Sequence, residues 1–178
     1  MDFQPSQLTR AREIRGLNIT ELANKIEVTR QSVSYYEQGK RIPQNSVLAK
    51  ISDKLDFPIE FFYKMDFPPQ KVGAAFYRTT ASSTTRSRTA IVRIGELGCV
   101  GHFYLSQYLN LPRPDLPFLE FFLSKDTLSY EDIDLIAQHT RQHWGLGSEP
   151  ITSLLTLMES KGIVIVNGGT VGNKTDAC

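Results

Sequence analysis

Apolar residues recur at helical spacing through the first 64 positions, in short bursts separated by glycine, proline or a small polar residue. Leu8, Ala11 and Ile14 fall on one face at three-residue intervals, which predicts a helix over 4–15 ended by Gly16. Asn18, with Glu21 three residues later, has the form of a capping box. It opens a second helix over 19–26 with Leu22, Ala23 and Ile26 turned inward. Thr29 is a good N-cap for a third helix over 30–38, closed by Gly39, in which Val33 and Tyr36 are the inward positions. Pro43 restarts the chain before a helix over 46–55, and Pro58 opens a last turn through Phe61, Phe62 and Tyr63.

The pattern then changes. MDFPPQKVG (65–73) is rich in proline and glycine, which predicts a linker over 65–74, and 75–78 suits a short strand. From 83 to 109, Ile91, Ile94, Leu97, Val100, Phe103 and Tyr104 keep helical spacing, so a long helix is expected. Gly95, Gly98 and Gly101 weaken it or mark where another helix packs closely. LPRPDLP (111–117) is a proline-broken connection. Ser129 caps a helix over 130–144 closed by Gly145, Pro150 begins another through Glu159, and Gly162 stops it before a compact apolar strand at 163–166. The predicted fold is mainly α: a five-helix domain over 1–64, the linker, and a partial α/β, α-rich domain over 75–178.

Composition adds the class. With 40% hydrophobic and 22% charged residues the chain has the make-up of an ordinary globular protein. No apolar run approaches the ~18 residues of a bilayer span, and MDFQPSQLTRARE lacks the apolar core of a secretion signal, so a cytoplasmic, membrane-free protein is expected. Cys99 and Cys178 form neither a metal-type pair nor a disulfide framework, and Cys99 is expected as a small core residue. A formal charge of +1 hides an asymmetry. Residues 1–56 carry nine Lys/Arg against seven Asp/Glu, 64–93 carry six against one, and 94–178 carry five against ten. A basic front and an acidic back suit a partner of negative charge facing the N-terminal part.

The second and third helices carry the chemistry. Two short helices joined by a turn of about three residues hold the second at the angle that fits the major groove of B-DNA. Its outward residues are Arg30, Gln31, Ser34 and Tyr35, with no acid among them. Arg30 can donate two hydrogen bonds to guanine O6 and N7, and Gln31 can pair with adenine N6 and N7. Ser34 can bond to a base or phosphate, and Tyr35 can reach a thymine methyl or a phosphate. Lys40 and Arg41, past the helix, and Asn18 and Ser32, near the starts of the two helices, are the expected phosphate contacts.

GLNITELANKIEVTRQSVSYYEQGKRIP (16–43) strongly resembles the Cro/repressor-type helix-turn-helix known as the XRE family. The resemblance covers about 60 residues. It implies a lambda-repressor-like domain in which Arg30, Gln31 and Tyr35 read bases while Glu37 pairs internally with Arg12. Ile19 departs from it: the family often has a phosphate-anchoring Gln there. The later segments YRTTASSTTRSR (77–88), IAQHTRQHWGLGSEPI (136–151) and LMESKGIVIV (157–166) resemble the N-terminal portion of ImmA/IrrE-type domains, a family containing zinc metallopeptidases often fused behind an XRE domain. That catalysis needs His-Glu-x-x-His on a helix, which these 178 residues do not contain. His139 and His143 stand one turn apart, but no Glu follows His139 as a base and no third ligand is evident. His102 is expected to pack in its helix, and no nucleophile triad is apparent. No catalytic and no metal residues are therefore expected, and no cofactor, with zinc implied only if a longer chain supplies the missing motif.

The expectation is a repressor-like regulator, bacterial or phage-derived, that binds double-stranded DNA at an inverted repeat as a homodimer, its effector left open. Two alternatives stand beside it. One is the N-terminal fragment of a metallopeptidase–regulator fusion, the other an antitoxin-type protein-interaction module.

Overall fold

The computed structural model of the chain describes residues 2–63, 78–79, 84–117, 127–168 and 175–177. The order of elements is α1 (Pro5–Ile14), α2 (Ile19–Lys25), α3 (Arg30–Glu37), α4 (Asn45–Leu55), a 3₁₀ turn (Ile59–Tyr63), β1 (Arg78–Thr79), α5 (Thr85–Ser106), α6 (Tyr130–His143), α7 (Leu154–Ser160) and β2 (Thr175–Ala177). The fold is mainly helical, with β1 and β2 paired antiparallel, Arg78 opposite Ala177 and Thr79 opposite Thr175 across an irregularity in register. The linker expected over 65–74 and Cys178 lie outside the described residues. By packing, the chain divides into two compact units, residues 1–103 with 166–178, and residues 104–165.

In the first unit the local signals become caps. Asn18 Oδ1 accepts from the Glu21 backbone N–H at 2.8 Å, and Glu21 Oε2 accepts from the Asn18 N–H at 2.6 Å, so both halves of the capping box are made. Thr29 Oγ1 accepts from the Ser32 N–H at 3.1 Å and starts α3. Gly16 and Gly39 follow α1 and α3 at positive φ. The turn between α2 and α3 is less conventional, because Glu27 occupies the left-handed region at φ 58°.

Around these ends a core closes from Phe3, Leu8, Ala11, Leu22, Ala23, Ile26, Val33, Tyr36, Leu48, Ile51, Leu55, Phe61 and Phe62. Each large side chain so buried is worth roughly 1.5–3 kcal/mol. The Gln4 N–H donates to the Phe62 carbonyl at 2.8 Å and ties the start of the domain to its last turn.

The long helix α5 belongs in its first turns to this same unit. Leu97 packs against the helix-turn-helix core, and Arg93 Nε donates to Glu13 Oε2 at 2.7 Å. Ala90 and Val100 are buried, whereas Phe103, at the far end of the expected stripe, stays exposed. Of the three glycines, Gly98 marks a close approach: a Cβ there would lie 2.2 Å from Val166 Cγ2. The neighbour lies in a segment that is not helical, rather than in the second helix that the glycine spacing suggested.

In the second unit Ser129 Oγ accepts from the Asp132 N–H, and Asp132 Oδ2 accepts from the Ser129 N–H, a second complete capping box at the head of α6. Three expectations are corrected. Helix α7 starts after Ser153, whose hydroxyl accepts from the Thr156 N–H, and not at Pro150; a side-chain cap outcompetes the bare proline. Residues 163–166 form no strand, since among the described residues no strand pairs with them. Cys99, on α5, is exposed rather than part of a core. Among the described residues no helix is long and apolar enough to cross a membrane.

Candidate nucleic-acid interface

The eight residues of α3 divide by burial. Val33 is fully buried and Tyr36 nearly so, which fixes the roll of the helix and sends Arg30, Gln31 and Tyr35 outward, with Ser34 half-buried. Arg30, the first helical residue, is exposed, and among the described residues it has no ion-pair partner. Gln31 Nε2 donates to Tyr35 Oη at 2.7 Å, one turn on, and Tyr35 is 37% exposed. Ser34 Oγ accepts from Gln38 Nε2 at 2.9 Å. The Lys40 ammonium lies 5.9 Å from the centre of the Tyr35 ring, within cation–π range.

After the helix the chain folds back. The backbone N–H groups of Lys40 and Arg41 both donate to the Tyr35 carbonyl, at 2.9 and 3.3 Å, and both side chains are exposed. The structure therefore leaves Arg30, Gln31, Tyr35, Lys40 and Arg41 exposed on α3 and its exit, with no acid among them. Asn18 and Ser32 have a different first duty. The side-chain carbonyl of Asn18 caps α2, and Ser32 lies with its N–H and hydroxyl against Thr29 at the head of α3.

The one acid of α3 is removed from this surface by a specific contact. Arg12 Nε donates to Glu37 Oε1 at 2.5 Å and Nη2 donates to Oε2 at 3.0 Å, a two-pronged pair with side-chain exposures of 11% and 9%. Arg12 Nη1 also donates to the Leu17 carbonyl at 2.8 Å. One guanidinium thus joins α1, the α1–α2 connection and α3, and sets the angle at which α3 is presented. Glu27, in the turn ahead of α3, is neutralised by Lys50. The hydrogen bond and charge of that ammonium hold the carboxyl below its ordinary range.

Charge plays a further part at the first turn of α2. Ile19 offers no donor and packs part-buried on the core. Beside it the Glu21 carboxyl is held below its ordinary range, first by the Asn18 N–H and then by Arg86 of α5. Arg86 Nη1 donates to Glu21 Oε1 and Oε2 at 2.9 and 3.1 Å. Sequence reasoning marked 64–93 only as a basic stretch. The placement of Arg86 at α2 depends on contacts across 65 positions, which no local pattern announces.

The histidines are dispersed. His139 is exposed, His102 half-buried, and His143 Nε2 lies 2.6 Å from Asp115 Oδ1. Among the described residues no group of three His, Cys, Asp or Glu gathers as a metal site would require.

No curated protein and no solved structure matches the chain. Residues 8–62 match the model of the helix-turn-helix family, so this N-terminal part of the chain is similar to an XRE-type helix-turn-helix domain.

Proposed function

We propose that this protein is a cytoplasmic, repressor-like transcriptional regulator that binds a specific double-stranded DNA sequence, acting by binding rather than catalysis. The observation that carries the reading is the acid-free surface of α3: exposed Arg30 and Gln31 at the end that enters the groove deepest, Tyr35 one turn on, and Lys40 and Arg41 at its exit, with Glu37 locked behind by Arg12. Arg30 and Gln31 read base edges, Ser34 and Tyr35 add a methyl or phosphate contact, and Lys40 and Arg41 fix register on the backbone. One recognition helix spans only about 4–5 base pairs, so the protein binds an inverted repeat as a homodimer, half-sites about one helical turn apart. The C-terminal part serves as a sensing or dimerising portion of ImmA/IrrE-like type. Support for that comes from Arg141 of its Arg-x-x-Trp-Gly-Leu-Gly run, whose guanidinium donates to the carbonyls of Gly147 and Glu149 and shapes the loop after α6.

Selection of binding sites from a random duplex library tests the reading. The expected winner is a two-fold repeat. On it, Arg30→Ala and Gln31→Ala each lose ~1–3 kcal/mol and relax one base position per half-site. Enrichment of no sequence, or winners bound equally well by both variants, would overturn it.

A further inference from the structure

We infer that Arg86, a residue of α5 outside the helix-turn-helix, is a DNA phosphate contact delivered alongside the first turn of α2. The inference rests on the DNA-binding reading and adds to it a contact from a separate element. In a helix-turn-helix the helix before the recognition helix crosses the DNA backbone. Here that helix is α2, and its first turn presents a half-buried Ile19 whose side chain carries no donor and a Glu21 carboxylate that repels a phosphate. Arg86 answers both deficits. Its Nη1 donates to both Glu21 oxygens at 2.9 and 3.1 Å, cancelling the charge. The pair is solvent-facing, with side-chain exposures of 50% and 41%. Both bonds leave from Nη1, so among the described residues the Nε–Nη2 edge of the guanidinium is open to chelate a phosphate in two-pronged fashion.

Arg93, two turns further along α5, shows the contrast. Its Nε donates to Glu13 and ties α5 to α1, and its Nη1 donates to both oxygens of Glu96. Arg86 has one acid where Arg93 has two. It also lies in the stretch 64–93, where six Lys/Arg face a single acid. Of these two arginines it is Arg86 whose Nε and Nη2 both remain without a bond to the described residues.

The slope of log K against log salt counts phosphates neutralised, about 0.9 for each. The full chain is titrated into a fluorescein-labelled duplex of random sequence over a range of KCl concentrations, as wild type, Arg86→Ala, Glu21→Gln and the double variant. Gln keeps the capping box while removing the charge. Arg86→Ala is expected to lower the slope by about 0.9, and by the same amount in the Glu21→Gln background, while Glu21→Gln alone tightens binding. A change that vanishes in the Glu21→Gln background means that Arg86 only masks the carboxylate, and overturns the inference. An unchanged slope in both backgrounds overturns it as well. Wild-type protein that binds no duplex at all defeats the DNA-binding reading itself, a result separable from the other two. Arg86→Gln, which keeps the stem of the side chain, replaces the alanine variant if circular dichroism shows that the latter does not fold.

Discussion

Residues 2–63 and residues 104–165 are segments of equal length, yet their described residues are held by different forces. In the first, apolar side chains from every helix meet in one core, from Phe3 to Phe62. In the second, the buried residue among those described is Asp132, an acid that caps a helix, while Tyr108, Leu116, Leu135, Leu154 and Leu155 are exposed. Among the described residues, what organises the second segment is polar. Arg141 binds two backbone carbonyls. Asp115 engages His143 and Lys161, and Trp144 Nε1 donates to the Asp115 carbonyl at 2.7 Å. A net hydrogen bond contributes ~0.5–1.5 kcal/mol and an exposed ion pair ~0–1 kcal/mol, against several for a buried leucine. Among the described residues, stability is therefore concentrated around α3 and the helices that hold it at a fixed angle.

Truncation of a leucine breaks that comparison most directly. Leu22→Ala empties a fully buried position and is expected to cost ~2–5 kcal/mol, read as a lower denaturant midpoint for the helix-turn-helix. Leu154→Ala, on an exposed site, is expected to stay within ~0.5 kcal/mol. Equal losses would mean that Leu154 is covered in solution and that the contrast between the segments is false.

Next in size is the ion pair behind α3. Glu37→Ala leaves the Arg12 guanidinium nearly buried and without its carboxylate, at a cost on the order of 3 kcal/mol. A melting curve identical to wild type would show the pair to be solvated. A smaller effect of opposite sign is expected at Glu27. A non-glycine residue at φ 58° carries ~1–2 kcal/mol of strain, and its pair with Lys50 is exposed and weak. After the entropy that glycine costs, Glu27→Gly should stabilise the domain by about 1 kcal/mol, and a lower midpoint would refute the strain.

The same contrast governs what the sequence made legible. In the first segment local signals and burial agree. Asn18 and Thr29 cap the helices they precede, and Leu8, Ala11 and Ile14 face the core their spacing implied. Because Val33 and Tyr36 had to point inward, the outward positions of α3 followed without further information. Glu27 escaped notice because glutamate is not a turn residue, so nothing in its identity signals the left-handed backbone it adopts. Beyond residue 64 the apolar pattern could not say what it packs against. The glycines of α5 read as weak points or as the mark of a closely packed helix, but Leu97 meets the core of the first segment and Gly98 meets Val166. Apolar runs such as 163–166 fail as strand signals when no neighbouring strand supplies hydrogen bonds. Arg86 and Arg93 were visible as charge only, since their partners lie far away in the chain.

The smallest expected effect probes the polar order of the second segment. Asp115 Oδ1 lies 2.6 Å from His143 Nε2, and Oδ2 accepts from Lys161 Nζ at 3.0 Å. The His143 bond foremost, then the Lys161 bond, holds this carboxyl below its ordinary range. A group whose pKa is depressed on folding contributes stability at pH above its unfolded value, and that contribution is lost as pH falls through the folded value. The loop carrying Asp115 should therefore stay docked to the end of α6 through the ordinary aspartate value of about 3.9 and release below it. The reporter is built in, because Trp144 is the single tryptophan of the chain and its indole N–H donates to the Asp115 carbonyl. Emission followed from neutral pH downward should shift with a midpoint below about 3.9. In Asp115→Asn, which has no proton to gain, that step should be missing while any general acid unfolding remains. A midpoint at or above the ordinary value, or the same step in the Asn variant, would show that the tryptophan reports on another carboxylate and that this cluster does not order the segment.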